Sequence, residues 1–195
     1  MNKDLAISLD TETLGTDDDA PIIQVGGVLF DLFHPPGHVI DGFEFYVVQD
    51  KYNNVQPFAA GMNGDIMMAI GKHLEGHEVE GAFIPEHEAA QVIWDWVEVV
   101  QQTYPVKDVV FTGKQYSSFD KPKLERLTHW NCYCQKVHHR SPDPGSLYWQ
   151  PKIDGAVLPN TATCMERAGI EGNVAHTAMQ DATVVAELIQ RWSQR

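Results

Sequence analysis

Apolar and polar positions change their rhythm along the chain, from short runs typical of strands to helical spacing. Leu5 to Leu9 is an apolar run that reads as a buried strand, followed by the loop GTDDDAP. IIQVGGVLFDLF, rich in β-branched and apolar residues, predicts a second strand. HPPG is a turn signal, and HVIDGFEFYVV alternates well enough for a third strand, so an antiparallel three-strand meander is expected. From Phe58 to about Lys72 the spacing becomes helical, and a Gly- and Glu-rich loop follows. PEHEAAQVIWDWVEVVQQ predicts a helix begun by Pro85 and Glu86, with Val92, Trp96 and Val99 on one face.

VKDVVFTG reads as a short buried strand, and SSFDKPKLERLTHW as a helix capped by Ser117 or Ser118, with Asp120 near its first turn. Residues 131–150 are loop-like, with prolines at 142 and 144. LYWQPKIDGAVL predicts another strand, NTATCMERAGI a short helix ending at Gly169, and AMQDATVVAELIQRW a closing amphipathic helix. Three strands followed by alternating helix and strand give an α/β fold with a mixed sheet.

A chain of 195 residues suits one domain, taken as 1–195, and its 43% hydrophobic and 21% charged residues are ordinary for a globular protein. The first ten residues, MNKDLAISLD, carry an acid at position 4 and too short an apolar run for a secretory signal, and no later run reaches a membrane span. Three cysteines without framework spacing fit a reducing compartment, so a cytoplasmic location without membrane contact is expected. The net charge of −13 argues against a polyanionic partner, but its distribution changes that picture. Gly113 to Lys152 holds seven Lys or Arg against three acids, which offers a phosphate-binding face in an otherwise acidic protein.

The chemistry begins at "SLDTETLG". Residues two apart on a strand point the same way, so Asp10 and Glu12 converge. Converging carboxylates repel unless a cation sits between them. Two further acids lie in telling contexts: Asp120 in "GKQYSSFDKPKLE", and Asp181, five residues after His176 in "VAHTAMQDATVVAELI". Five helical residues turn roughly 140° beyond a full turn, so His176 must precede the helix to share a site with Asp181.

With "LDTETLG", "SSFD" and "HTAMQD" in order, the chain resembles the DEDDh, or DnaQ-like, 3′–5′ exonucleases, whose domain has an RNase H-like fold. The resemblance covers residues 5 to 193 and is nearest to small stand-alone members, including oligoribonuclease and RNase T relatives; "PFAAGMN" is similar to their substrate-side helices. It implies hydrolysis of single-stranded DNA or RNA from the 3′ end, with release of nucleoside 5′-monophosphates. Two divalent ions, Mg²⁺ or Mn²⁺, suit such chemistry and such hard oxygen ligands. By resemblance Asp10 bridges the two ions, Glu12 and Asp181 hold one, Asp120 positions the other, and His176 takes the proton from the attacking water. Thr13 and Leu14 would hold the terminal 3′-hydroxyl and wedge against the last base, and Phe119 would stack on a base.

The Asn that many relatives carry before the second motif is replaced around "GKQYSS", which assigns Tyr116 or Gln115 another task. "NCYCQKVHH" places Cys132, Cys134, His138 and His139 together, but C-x-C is not the usual spacing of structural zinc ligands. A catalytically silent binding module and a polymerase-bound proofreading subunit are the rival readings. The intact acids disfavour the first and the short tail after the last helix the second; a stand-alone enzyme is expected, with a homodimer as one compatible assembly.

Overall fold

A computed structural model describes residues 4–104, 106, 108–132, 137–172 and 176–195. Three long strands come first: β1 (Leu5–Thr13), β2 (Ile22–Asp31) and β3 (Asp41–Val48). They pair antiparallel in that order, as the expected meander. Two short strands pair in parallel at the edges, β4 (Phe83–Pro85) on β3 and β5 (Phe111–Thr112) on β1, giving the order β4-β3-β2-β1-β5. β4 arises at the end of the stretch read as a Gly- and Glu-rich loop.

Helices follow as α1 (Pro57–Met62), α2 (Gly64–Leu74), α3 (Glu86–Thr103), α4 (Asp120–Leu124), α5 (Pro144–Leu147), α6 (Pro151–Asp154), α7 (Thr161–Ala168) and α8 (Ala178–Ser193). The alternation along β1 assigns its two faces. Leu5, Ile7 and Leu9 pack with Ala90, Ile93, Trp94 and Val97 of α3, while Ala6 joins Val28 and Phe30 of β2 against Ala182, Val185 and Ile189 of α8. The sheet is thus covered on both sides, an RNase H-like arrangement. Among the described residues no helix is long and apolar enough to cross a membrane.

Several local expectations are corrected. β1 continues past Leu9 through both acids, because backbone pairing with Gly26, Val25 and Gln24 of β2 does not depend on side-chain polarity. The helix expected from Phe58 to Lys72 is two helices broken at Asn63, whose side chain turns inward to β1. On α3 the core stripe is Ala90, Ile93, Trp94, Val97 and Val100, and Val99 is exposed. α4 starts at Asp120 and is preceded by turns, without a serine cap. LYWQPKIDGAVL is not a strand: Pro151 opens α6, whose Asp154 accepts from the Gln150 backbone N–H and pairs with Arg167 at 2.6 Å. α7 ends at Gly169 with φ +70°, the left-handed cap that glycine adopts without strain.

Candidate active site

The site is assembled on β1, where Asp10 lies opposite Gly26 and Glu12 opposite Gln24. α8 crosses this part of the sheet at very close range. A Cβ on Gly26 would stand 2.3 Å from the Met179 nitrogen and 2.4 Å from the Ala178 carbonyl carbon, so only glycine admits the helix there. Two sheet side chains receive the helix's first N–H groups. Ala178 N donates to Gln24 Oε1 at 3.0 Å and Met179 N to Glu44 Oε1 at 2.9 Å. Asp181, in the first turn of α8, is thereby delivered over β1.

The result is a three-acid cluster. Asp10, Glu12 and Asp181 each offer an oxygen, and these oxygens all lie within 4.8 Å of one another. Asp181 Oδ1 is buried and has no hydrogen-bond partner among the described residues. A buried carboxylate oxygen without a donor beside two more carboxylates is a costly arrangement for the protein alone. Hard oxygen donors converging in this way fit a divalent cation.

Asp120 reaches the same cleft from the start of α4, on the other side of β1. Its Oδ1 accepts from the Thr11 backbone N–H at 3.1 Å and from the Thr11 hydroxyl at 2.7 Å. Thr11 sits between the two sequence acids, so its backbone and its hydroxyl tie Asp120 to the strand that carries them. A cleft of about 230 Å³ is lined by Asp10, Asp120 and Asp181 together with Lys114, Gln115 and Phe119. A second groove of about 260 Å³, beside Lys51, Lys123 and Arg126, includes none of the four acids.

Burial governs the protonation of these groups. Burial, reinforced by the charges of Asp120, Asp181 and Glu12, pushes Asp10 well above the ordinary carboxylate range. Burial also raises Asp181 to about 7, with Glu12 adding to the shift. Asp120 is pushed up by burial to about 7 although the Thr11 bonds and the Lys123 charge favour its ionised form. Glu12 is raised by burial, opposed by a charge on His176 and by a hydrogen bond from Asn63.

The remaining predicted residues divide clearly. His176 stands at an exposed bend two residues before α8, as its spacing requires, on the Glu12 side. The Thr13 hydroxyl donates to the Gly15 carbonyl at 2.8 Å. Leu14 is fully buried with Ile23, Ile66 and Ile70, so its side chain contributes to the core. Phe119 is half-buried, with Lys123 Nζ 3.6 Å from its ring centroid. Gln115 adopts a positive φ of 58°, its N–H held by Asp143 Oδ2 at 2.8 Å.

Cys134 and the side chain of Cys132 lie outside the described residues; the His138 and His139 rings stack 4.8 Å apart. The basic stretch is dispersed: Lys121 pairs with Glu125 at 2.7 Å, Lys123 is buried, and Lys114 is the cation lining the acid cleft among the described residues. Sequence reading missed Thr11, Gln24, Gly26, Glu44 and Asn63 as organisers of the acids. Only the position of Thr11 between Asp10 and Glu12 carried a signal.

No family model and no curated relative matches the sequence. Several solved nuclease structures share the fold. E. coli Exonuclease I in complex with a dA16 oligonucleotide superposes with a TM-score of 0.66 at 19% identity, over 99% of this chain and 41% of that one. The chain therefore spans about two-fifths of the length of Exonuclease I. The nuclease domain of 3′hExo, a DEDDh family member bound to rAMP, gives 0.62 at 14% identity, over 98% of this chain and 92% of that one. Cell-death related nuclease 4 gives 0.62 at 15% identity, over 96% and 63%. With its mixed five-stranded sheet and its acidic cluster, this chain has the RNase H-like fold of the DEDDh-type 3′–5′ exonucleases.

Proposed function

We propose that the protein is a metal-dependent 3′–5′ exonuclease acting on single-stranded DNA or RNA and releasing nucleoside 5′-monophosphates, with residues 1–195 as one nuclease domain. The observation that carries this reading is the convergence of Asp10, Glu12 and Asp181 within 4.8 Å. The fold shared with nucleases supports it, as does the oligonucleotide bound in the Exonuclease I structure.

Asp10, Glu12, Asp120 and Asp181 would hold two divalent ions, Mg²⁺ or Mn²⁺. Such ions supply a nucleophile at neutral pH and neutralise charge on the attacking and leaving oxygens. The protein's own part is positioning and proton transfer. The β1 ladder orients Asp10 and carries Glu12 at its last regular pair, the stapled start of α8 places Asp181, and Thr11 holds Asp120. His176, exposed and ahead of the helix, accepts the proton of the attacking water and passes it to solvent. The backbone at Thr13 and Leu14 receives the terminal 3′-hydroxyl, with the buried Leu14 side chain supporting that segment from beneath. Phe119 offers a stacking face on the cleft wall, and Lys114 offers a charge for a phosphate.

The test is direct. Wild-type protein and Asp181→Asn are incubated with 5′-labelled single-stranded DNA and RNA of one sequence, in Mn²⁺ or in chelator. The expected result is a ladder shortening from the 3′ end, present with Mn²⁺ and absent in chelator or in the variant. Folded wild-type protein that leaves both strands intact in Mn²⁺ would overturn the enzyme and favour a silent nucleic-acid-binding module.

A further inference from the structure

The segment "PFAAGMN" ends at the break between α1 and α2, and the break itself makes the contact. Asn63 links the two helices with φ −97° and ψ 26°, and its backbone continues the hydrogen-bonding of both: its N–H donates to Ala59 O, and its carbonyl accepts from Met67 N. Its side chain turns inward and is only 6% exposed. There Nδ2 donates to the Thr13 carbonyl at 2.9 Å, directly after Glu12, and the amide favours the ionised form of the Glu12 carboxyl beside it. One of the two donors of this NH₂ group is thus committed to the β1 backbone at the residue that follows Glu12.

The place of this contact matters. Between Glu12 and Thr13 the β1–β2 register shifts, so the ladder that orients Asp10 loses its regularity just after Glu12. Glu12 also has a longer side chain than Asp10 and more rotamers to restrict. A hydrogen bond from a second element supplies the missing constraint.

The other end of the amide shows what the contact costs. Asn63 Oδ1 is buried and finds no hydrogen-bond partner among the described residues. An unsatisfied buried carbonyl opposes folding, so an amide is a poor choice here for stability alone. Its donors are what the position uses.

We propose that Asn63 is a positioning residue for Glu12, holding β1 at Thr13 from the α1–α2 junction so that the Glu12 side chain keeps the metal-binding geometry. The assignment rests on the exonuclease reading for its purpose, but its physical content is a coupling between Asn63 and Glu12 in cation binding. It makes the helix pair part of the acid site and gives the break in the helix a function. The nearly isosteric Asn63→Leu variant removes the donors together with the orphaned carbonyl.

The experiment is a double-mutant cycle on Mn²⁺ affinity, measured by calorimetry on wild type, N63L, E12Q and the double variant without nucleic acid, with thermal midpoints beside it. N63L is expected to melt a few degrees lower, because the Thr13 carbonyl loses its donor while the unsatisfied Asn63 carbonyl is removed with it, and to stay folded at the temperature of the titration. Its Mn²⁺ affinity is expected to fall about tenfold in the wild-type background and not to fall further in the E12Q background, the signature of action through one partner. Equal losses in both backgrounds, or wild-type affinity in N63L, would overturn the proposal. Should N63L fail to fold, Asn63→Ser replaces it in the same cycle. A wild-type protein that shows the coupling yet cuts neither DNA nor RNA would leave the Asn63 clamp standing and remove the exonuclease reading; one that binds no Mn²⁺ overturns both.

Discussion

At the scale of single residues, the site depends on side chains whose partners are far away in the sequence. Thr11 holds Asp120 across 109 positions with a 2.7 Å bond from its hydroxyl. Replacing Thr11 with Val removes that donor and keeps the backbone bond, so the Asp120 carboxylate loses part of what favours its ionised form. The expected outcome is a loss of about 1–3 kcal/mol in thermal or urea unfolding, with the activity profile moved to higher pH. His176 makes a different prediction, because it stands exposed. His176→Ala is expected to retain the wild-type thermal midpoint while the cleavage rate falls about 10²–10⁴-fold, the usual worth of a general base. A variant that cuts at the wild-type rate would remove His176 from the mechanism.

At the scale of elements, the decisive contact is the seating of α8 on β2. Gly26 allows the helix backbone to touch the sheet, and Gln24 and Glu44 receive its first two N–H groups. In Gly26→Ala the new methyl meets main-chain atoms of Ala178 and Met179 at distances no side-chain rotation relieves. The helix start must move, at a cost of about 1–3 kcal/mol or more, and Asp181 moves with it. Mn²⁺ affinity should therefore fall further than stability alone accounts for, which calorimetry beside a melting curve resolves. Gln24→Leu, which leaves the Ala178 N–H without its acceptor in a buried place, should act in the same direction but more weakly.

For the molecule as a whole, the acid cluster links stability to pH and to cations. Burial raises Asp120 and Asp181 to about 7 in the folded chain from an ordinary value of 3.8, and Asp10 is also raised, by burial and by its charged neighbours. Between those values the folded protein holds more protons than the unfolded one. Their favourable contribution is complete below about pH 4 and is lost as pH rises through about 7. In chelator, the melting temperature should therefore fall between pH 5 and pH 8 by an amount these acids set. Asp181→Asn should flatten the fall, since it removes one of the titrating groups. Mn²⁺ should raise the midpoint more at pH 8 than at pH 5, because a cation binds the deprotonated acids and stabilises only the folded state. Identical pH dependence in wild type and variant would show that the cluster does not govern it.

The meander, α3, α7 and α8 were legible in the sequence because strand and helix periodicities are local and each buries a repeating face. The acids were legible for a similar reason: Asp10 and Glu12 share a face by their spacing, and His176 had to precede the helix that carries Asp181. Local pattern failed where a segment's conformation answers to a distant partner. Asn63 breaks a helix to reach β1, and the apolar run around Pro151 folds around Asp154 and Arg167 instead of joining the sheet. Only the tertiary structure decided which acids meet. Their convergence needs a missing Cβ at Gly26 and a helix start more than 150 positions later, and no local periodicity encodes an approach between backbones so far apart in the chain.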